Sequence, residues 1–240
     1  MNLRAWVAEL IGTFALTFIG VGAIANLAGL GSEAMTQFGD LATIGNIIVG
    51  KSGLVGIALA HGLTIAVMVS ATAAISGGHL NPAVTVGLWS AGKIDAANAL
   101  GYIISQVLGS FAAVGLLALT LGDSVRAVQY GSPMLAEGVS IGSGLILEAV
   151  LTFFLVFVIY GTAVDKRAPK LAGLFIGLTV TLDILMGGPV TGAAMNPARQ
   201  MAPAIYAGGA AASQIWLYWV GPILGAILAA QLWRNFLEEK

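Results

Sequence analysis

Two stretches of the chain, SGGHLNPAVT from Ser76 to Thr85 and TGAAMNPARQ from Thr191 to Gln200, carry the same Asn-Pro-Ala box with their Asn residues 115 positions apart. Asn does not titrate near neutral pH; it offers an amide that both donates and accepts hydrogen bonds. Asn is a good helix N-cap and Pro is favoured at the first helical position, so Asn81-Pro82-Ala83 and Asn196-Pro197-Ala198 each read as the start of a helix. If each Asn side-chain oxygen caps its own helix, its amide NH₂ is left pointing outward as a donor. An isolated Asn-Pro is usually only a turn starter, but a pair at repeat-related positions favours a shared site. Arg199, three residues after Asn196, adds a fixed charge with several donors. The chemistry on offer is hydrogen bonding to a small guest. Bond-making chemistry has little to work with: there is no Cys, and neither His61 nor His79 has a Ser or Asp partner at catalytic spacing. Two His alone argue against a metal centre, so neither metal nor cofactor is expected and the chain is not read as an enzyme.

The elements that position these residues are membrane helices. Of 240 residues 58% are hydrophobic and 9% charged, far from the roughly 25% charged residues of a soluble domain, and the mean hydropathy is +0.93. A net charge of −1 gives no reason to expect nucleic acid. A span needs about 20 apolar residues, and six segments qualify: 5–28, 54–75, 96–119, 141–164, 170–188 and 214–234. The first could be mistaken for a secretion signal, but its apolar stretch exceeds the roughly 7–15 residues of a signal core and contains Glu9. Six spans put both termini on one side. Arg4, Lys93, Lys166, Arg167, Lys170, Arg234 and Lys240 lie there, against Lys51 and Arg126 opposite, so the positive-inside rule predicts cytoplasmic termini. The expected host is the cell membrane.

The chain also repeats itself. At an offset of 115, residues 62–83 lie over 177–198 with seven identities in 22 positions, and at an offset of 139 Glu9, Thr13 and Phe14 lie over Glu148, Thr152 and Phe153. Three spans per half make the repeat inverted, and the chain reads as one channel domain, 1–240, built of halves 1–120 and 121–240. The segments 82–90 and 197–205 reach only about 14 Å each at 1.5 Å per residue, against a hydrocarbon core of about 30 Å. They read as half-spans entering from opposite faces, with their positive dipole ends meeting near the midplane. The predicted fold is all-α, six transmembrane helices plus two re-entrant half-helices.

These features resemble the aquaporin, or major intrinsic protein, family: two boxes within SGGHLNPAVT and NPAR, six spans and an inverted repeat over nearly the whole chain. The resemblance implies a homotetramer with one pore per protomer. Each pore passes water or small neutral solutes through the lipid bilayer and excludes protons and cations by an Arg and the half-helix dipoles. Glycerol-type members have an Asp directly after that Arg and a basic residue four positions on; here Gln200 and Ala204 occupy those places, and Tyr218-Trp219 look like the water-channel aromatic pair. Counted from the boxes, the family's outer filter falls on His61, Ile184, Ala193 and Arg199. This set looks like plant tonoplast aquaporins, some of which also pass ammonia or urea. A glycerol or urea facilitator is the nearest alternative; an ion-coupled secondary transporter is a remoter one.

Other polar residues have two readings each. His61 is either a core histidine bonded to a neighbouring carbonyl or a lumen residue. Glu9 and Glu148 form either an ion path or, by their repeat symmetry, acceptors for the backbone of re-entrant loops, which is the reading preferred. His79 fits a pore mouth or a loop contact. Asp183 either bonds a neighbouring helix or perturbs the filter. Gly101, Ser105 and Gly109 make a small-residue face on the third span, expected to be a packing seam.

Overall fold

The computed structural model describes residues 2–38, 42–168 and 170–239, with side chains 30–52 outside the description. Lys240, counted in the charge tally above, and the side chain of Lys51 therefore lie outside the described residues. The architecture is all-helical: α1 (Leu3–Phe38), α2 (Ala42–Ser76), α3 (Pro82–Ser90), α4 (Ala96–Leu121), α5 (Asp123–Ala127), α6 (Ile141–Ile159), α7 (Ala172–Thr191), α8 (Pro197–Ala207), α9 (Gly209–Ser213) and α10 (Ile215–Leu232). Among the described residues six stretches are long and apolar enough to cross a membrane: Leu3–Gly29, Gly53–Ser76, Ala96–Leu121, Ile141–Val164, Ala172–Thr191 and Ile215–Leu237.

Among the boundaries that depart from the sequence reading, two end at a glycine. The fifth span runs from Ala172 to Thr191 rather than 170–188, passing through Pro189 until Gly192, at φ 79°, closes it with an N–H bond to the Gly188 carbonyl. The second half-helix continues to Ala207, two residues past the expected 205, and stops where Gly208 takes φ 71°. The first half-helix, Pro82–Ser90, has the bounds expected of it.

Apolar side chains gain little by leaving lipid for one another, so close backbone approach at small residues is what binds membrane helices. α1 packs on α2 and α4, α2 on α7, and α6 on α7 and α10. A Cβ on Gly109 of α4 would strike the Leu10 carbonyl oxygen of α1, and one on Gly225 of α10 would strike the Ala149 carbonyl oxygen of α6. These two contacts are copies of each other, with Gly109 and Gly225 offset by 116 and Leu10 and Ala149 by 139. Gly101 abuts Trp6 in the same α1–α4 seam. Where α2 crosses α7, the repeat mates Gly62 and Gly177 meet each other, and a Cβ on Gly62 would come 2.5 Å from the Gly177 carbonyl oxygen. The two halves thus meet at equivalent positions, as an inverted repeat requires.

Candidate functional site

The loops leading into the half-helices cannot satisfy their own backbone, and in lipid no water would do it for them. A buried carboxylate supplies each loop. Glu9 of α1 accepts from Ser76 Oγ (2.6 Å), His79 N (2.9 Å) and Leu80 N (2.6 Å), and from Gln106 Nε2 of α4 (2.7 Å). Glu148 of α6 accepts from Thr191 Oγ1 (2.6 Å), Ala194 N (3.0 Å) and Met195 N (2.8 Å). Two phenols complete the frame: Tyr102 donates to the Ser76 carbonyl (2.8 Å) and Tyr218 to the Thr191 carbonyl (2.6 Å). Both carboxylates are fully buried, and neither lines the cavity described below.

The residue before each Asn is left-handed, Leu80 at φ 51° and Met195 at φ 52°. Such a conformation costs a bulky side chain about 1–3 kcal/mol and persists only when its surroundings over-determine it. Here bonds at both ends fix it. Each of these residues donates its N–H to a carboxylate, and each accepts at its carbonyl from the Asn of the opposite loop. Asn196 Nδ2 donates to Leu80 O (2.9 Å) and Asn81 Nδ2 to Met195 O (2.8 Å).

Each Asn also caps its own helix. Asn81 Oδ1 accepts from Ala83 N (2.8 Å), and Asn196 Oδ1 from Ala198 N (3.1 Å) and Arg199 N (3.2 Å). The expectation that the whole NH₂ stays free is corrected in one respect. One amide hydrogen of each pair is bonded across to the other loop, which leaves one per Asn. Both Asn residues line a single cavity, whereas Pro82, Ala83, Pro197 and Ala198 are buried behind it as the first turns of α3 and α8.

His61, Ile184, Ala193 and Arg199, though drawn from α2, α7, a loop and α8, line that same cavity, as does His79. His61 satisfies both of its readings. Its Nδ1 lies 2.8 Å from the Ile57 carbonyl, which can only accept, so Nδ1 carries the hydrogen and Nε2 is left as an acceptor. Arg199 NH2 donates to that Nε2 at 3.1 Å, while NH1 donates to the Gly131 carbonyl at 2.8 Å. His79 likewise has both features, with Nδ1 3.1 Å from Thr85 Oγ1 and the ring packed edge-on against Tyr102. Asp183 is buried but does not line the cavity, and its Oδ2 has no hydrogen-bond partner among the described residues. It does not bond through that oxygen to a neighbouring helix.

Sequence reasoning missed Gln106 and Tyr102 and gave Tyr218 no task in the loop. Tyr102 and Tyr218 are 116 apart, one more than the Asn spacing, so a repeat search carried into the third helix of each half would have found the pair. For Gln106 there was no such signal, since the position 116 further on is Pro222.

A family model described as "Major intrinsic protein" matches residues 1–233. The chain belongs to the major intrinsic protein family. It is similar to Aquaporin TIP4-4 of Zea mays, 44% identical over 235 residues that cover 95% of this chain and 84% of that protein. It is also similar to Aquaporin Z of Photorhabdus laumondii, 39% identical over 250 aligned positions and 99% of both chains. Among solved structures, the aquaglyceroporin from Plasmodium falciparum superposes with a TM-score of 0.81, covering 99% of this chain and 97% of the other, and at 24% identity that likeness speaks for the fold alone. As a member of the major intrinsic protein family, the chain is a multi-pass membrane channel, and its aquaporin relatives favour water as the permeant.

Proposed function

We propose that this channel passes water and small neutral solutes such as ammonia passively, and excludes protons and ions. The observation that carries the reading is the pair of crossed Asn amides and the Arg199–His61 contact in one cavity. With one N–H of each Asn tied across the loops, the remaining two converge on the guest. A water that accepts from both must point its own hydrogens away from the centre, so a hydrogen-bonded file cannot relay a proton through it. The N-terminal ends of α3 and α8, each worth roughly half a positive charge, oppose a cation at the same place.

His61, Ile184, Ala193 and Arg199 then form the outer constriction. Of Arg199's five N–H donors two are bonded within the protein, to Gly131 and His61, which leaves others for a permeant oxygen. Ile184 makes the opposing wall apolar, so that wall discriminates weakly between water and ammonia. His79 stands at the inner mouth, and Glu9 and Glu148 hold the two loops. We further propose a single channel domain of two inverted halves, 1–120 and 121–240, assembled as a homotetramer in the cell membrane. The bias of basic residues toward one side supports cytoplasmic termini.

Stopped-flow measurements on proteoliposomes with water, ammonia, urea and glycerol test the reading. Water and ammonia should pass well above empty vesicles, without a proton current. Glycerol flux as fast as that of water would favour a facilitator, and accumulation of solute against its gradient would exclude a passive channel.

A further inference from the structure

We propose that Gly20 of α1 is a positioning residue of the outer constriction: the space where its side chain would stand seats the His61 imidazole and so sets the contact between His61 and Arg199. This rests on the reading of His61 and Arg199 as constriction residues.

A Cβ built on Gly20 would lie 2.7 Å from both Cδ2 and Cε1 of the imidazole and closer still to Nε2. Real Cβ atoms do not approach so near, so the ring would have to move. Little freedom is available to it. The ring is buried and tethered through Nδ1 to the Ile57 carbonyl of its own helix at 2.8 Å. The atom that would be struck hardest is Nε2, which accepts from Arg199.

The repeat supplies an internal control. Gly20 lies 139 positions before Ile159, and His61 lies 115 before Ile176, both within the second half. Ile159 and Ile176 line the cavity, so there the first helix contributes a β-branched side chain and the second helix another. In the first half the first helix gives up its side chain and the second helix contributes a ring. The volume has been moved from one helix to the other, and a polar edge has been brought to Arg199. Not every glycine of α1 behaves this way: a Cβ on Gly22 would make only an ordinary contact, 3.8 Å from Leu117.

Gly20→Ala should push the ring off α1 toward the cavity and break its register with Arg199. Ammonia and urea fluxes should fall relative to water on the order of tenfold, the scale of one methylene in a tight pocket. Gly22→Ala should leave the flux ratios as they are. In a His61→Ala background there is no ring to displace, so adding Gly20→Ala should change the ratios by less than about twofold. A Gly20→Ala variant that fails to fold while Gly20→Ala/His61→Ala folds would support the same seat. Failure of both to fold, or an equal effect of Gly20→Ala with and without His61, would overturn it. If His61→Ala alters the flux ratios and a folded Gly20→Ala does not, Gly20 has no positioning role. If His61→Ala itself changes nothing, the constriction reading fails instead.

Discussion

The cavity is lined by residues from both halves, and the two sets can be compared position by position. Leu16 matches Leu155, Ile65 matches Val180 and Asn81 matches Asn196, all of them lining residues. The match fails at several positions, His79 against Ala194 among them, and at two that involve Arg199 and its partner His61. Val84 of the first half stands where Arg199 stands in the second, and Ile176 of the second half stands where His61 stands in the first, at the same offset of 115. One backbone plan therefore supports an apolar arrangement and a polar one. Side-chain chemistry varies at positions the fold leaves free, while the Asn pair, which bonds across both halves, stays symmetric.

The loop supports show a second asymmetry. A carboxylate has about four acceptor sites. Glu9 fills them with four donors, whereas Glu148 has three, because Pro222 stands at the place corresponding to Gln106. Each loop gives its carboxylate three donors, but Glu9 is itself anchored by a fourth from α4.

The comparison can be pushed until it breaks. Its largest expected effect comes from Arg199→Val, which makes the polar set copy Val84. Urea uptake relative to water should rise by roughly 10–200-fold, the range for adding or removing a small group in a discriminating pocket. An unchanged ratio in a folded channel would mean that the asymmetry at this position has no bearing on selectivity.

Loop support comes next. Glu148→Gln puts an amide NH₂ against Ala194 N or Met195 N and orphans a buried backbone donor, a loss of about 1–3 kcal/mol. Glu9→Gln does the same to the first loop, but Gln106, whose Oε1 has no partner among the described residues, can turn to accept from the new amide. Thermal unfolding in detergent should therefore be lowered more by Glu148→Gln than by Glu9→Gln. The reverse order would mean that the fourth bond to Glu9 is no buffer.

The smallest change is expected for Ile184→His, which adds a second imidazole to the apolar wall of the proposed constriction. Ammonia flux should fall more than water flux, by about threefold to fivefold, well below the effect of deleting the charge. Paired stopped-flow rates for the two permeants measure this directly, and equal losses would remove Ile184 from the discriminating wall.

Much of this was legible before any coordinates. Composition and span length placed the chain in a bilayer, and the Asn-Pro start of each box marked the first residue of both half-helices. Helix ends were read less well: 188 was expected where Gly192 stops the chain, because a helix can tolerate Pro189 when packing compensates, and 205 where Gly208 does. The glutamates were paired with the loops from their repeat symmetry alone. Gln106, by contrast, has no symmetric partner and reaches a residue 97 positions away.

By itself the sequence determined the membrane class, the number of spans and the doubled boxes, since those follow from local hydropathy, capping chemistry and the repeat, while His61, Ile184 and Ala193 were singled out by the resemblance to the family's filter. Only the tertiary structure decided how the amides are spent. Whether an Asn hydrogen faces the cavity or the opposite loop depends on where a carbonyl 114 or 116 residues away comes to rest. That position is fixed by left-handed backbone at Leu80 and Met195, held between a carboxylate and an Asn. The seat for His61 is of the same kind. A glycine on one helix means nothing in the sequence until another helix brings a ring against it, because steric exclusion acts through space and not along the chain.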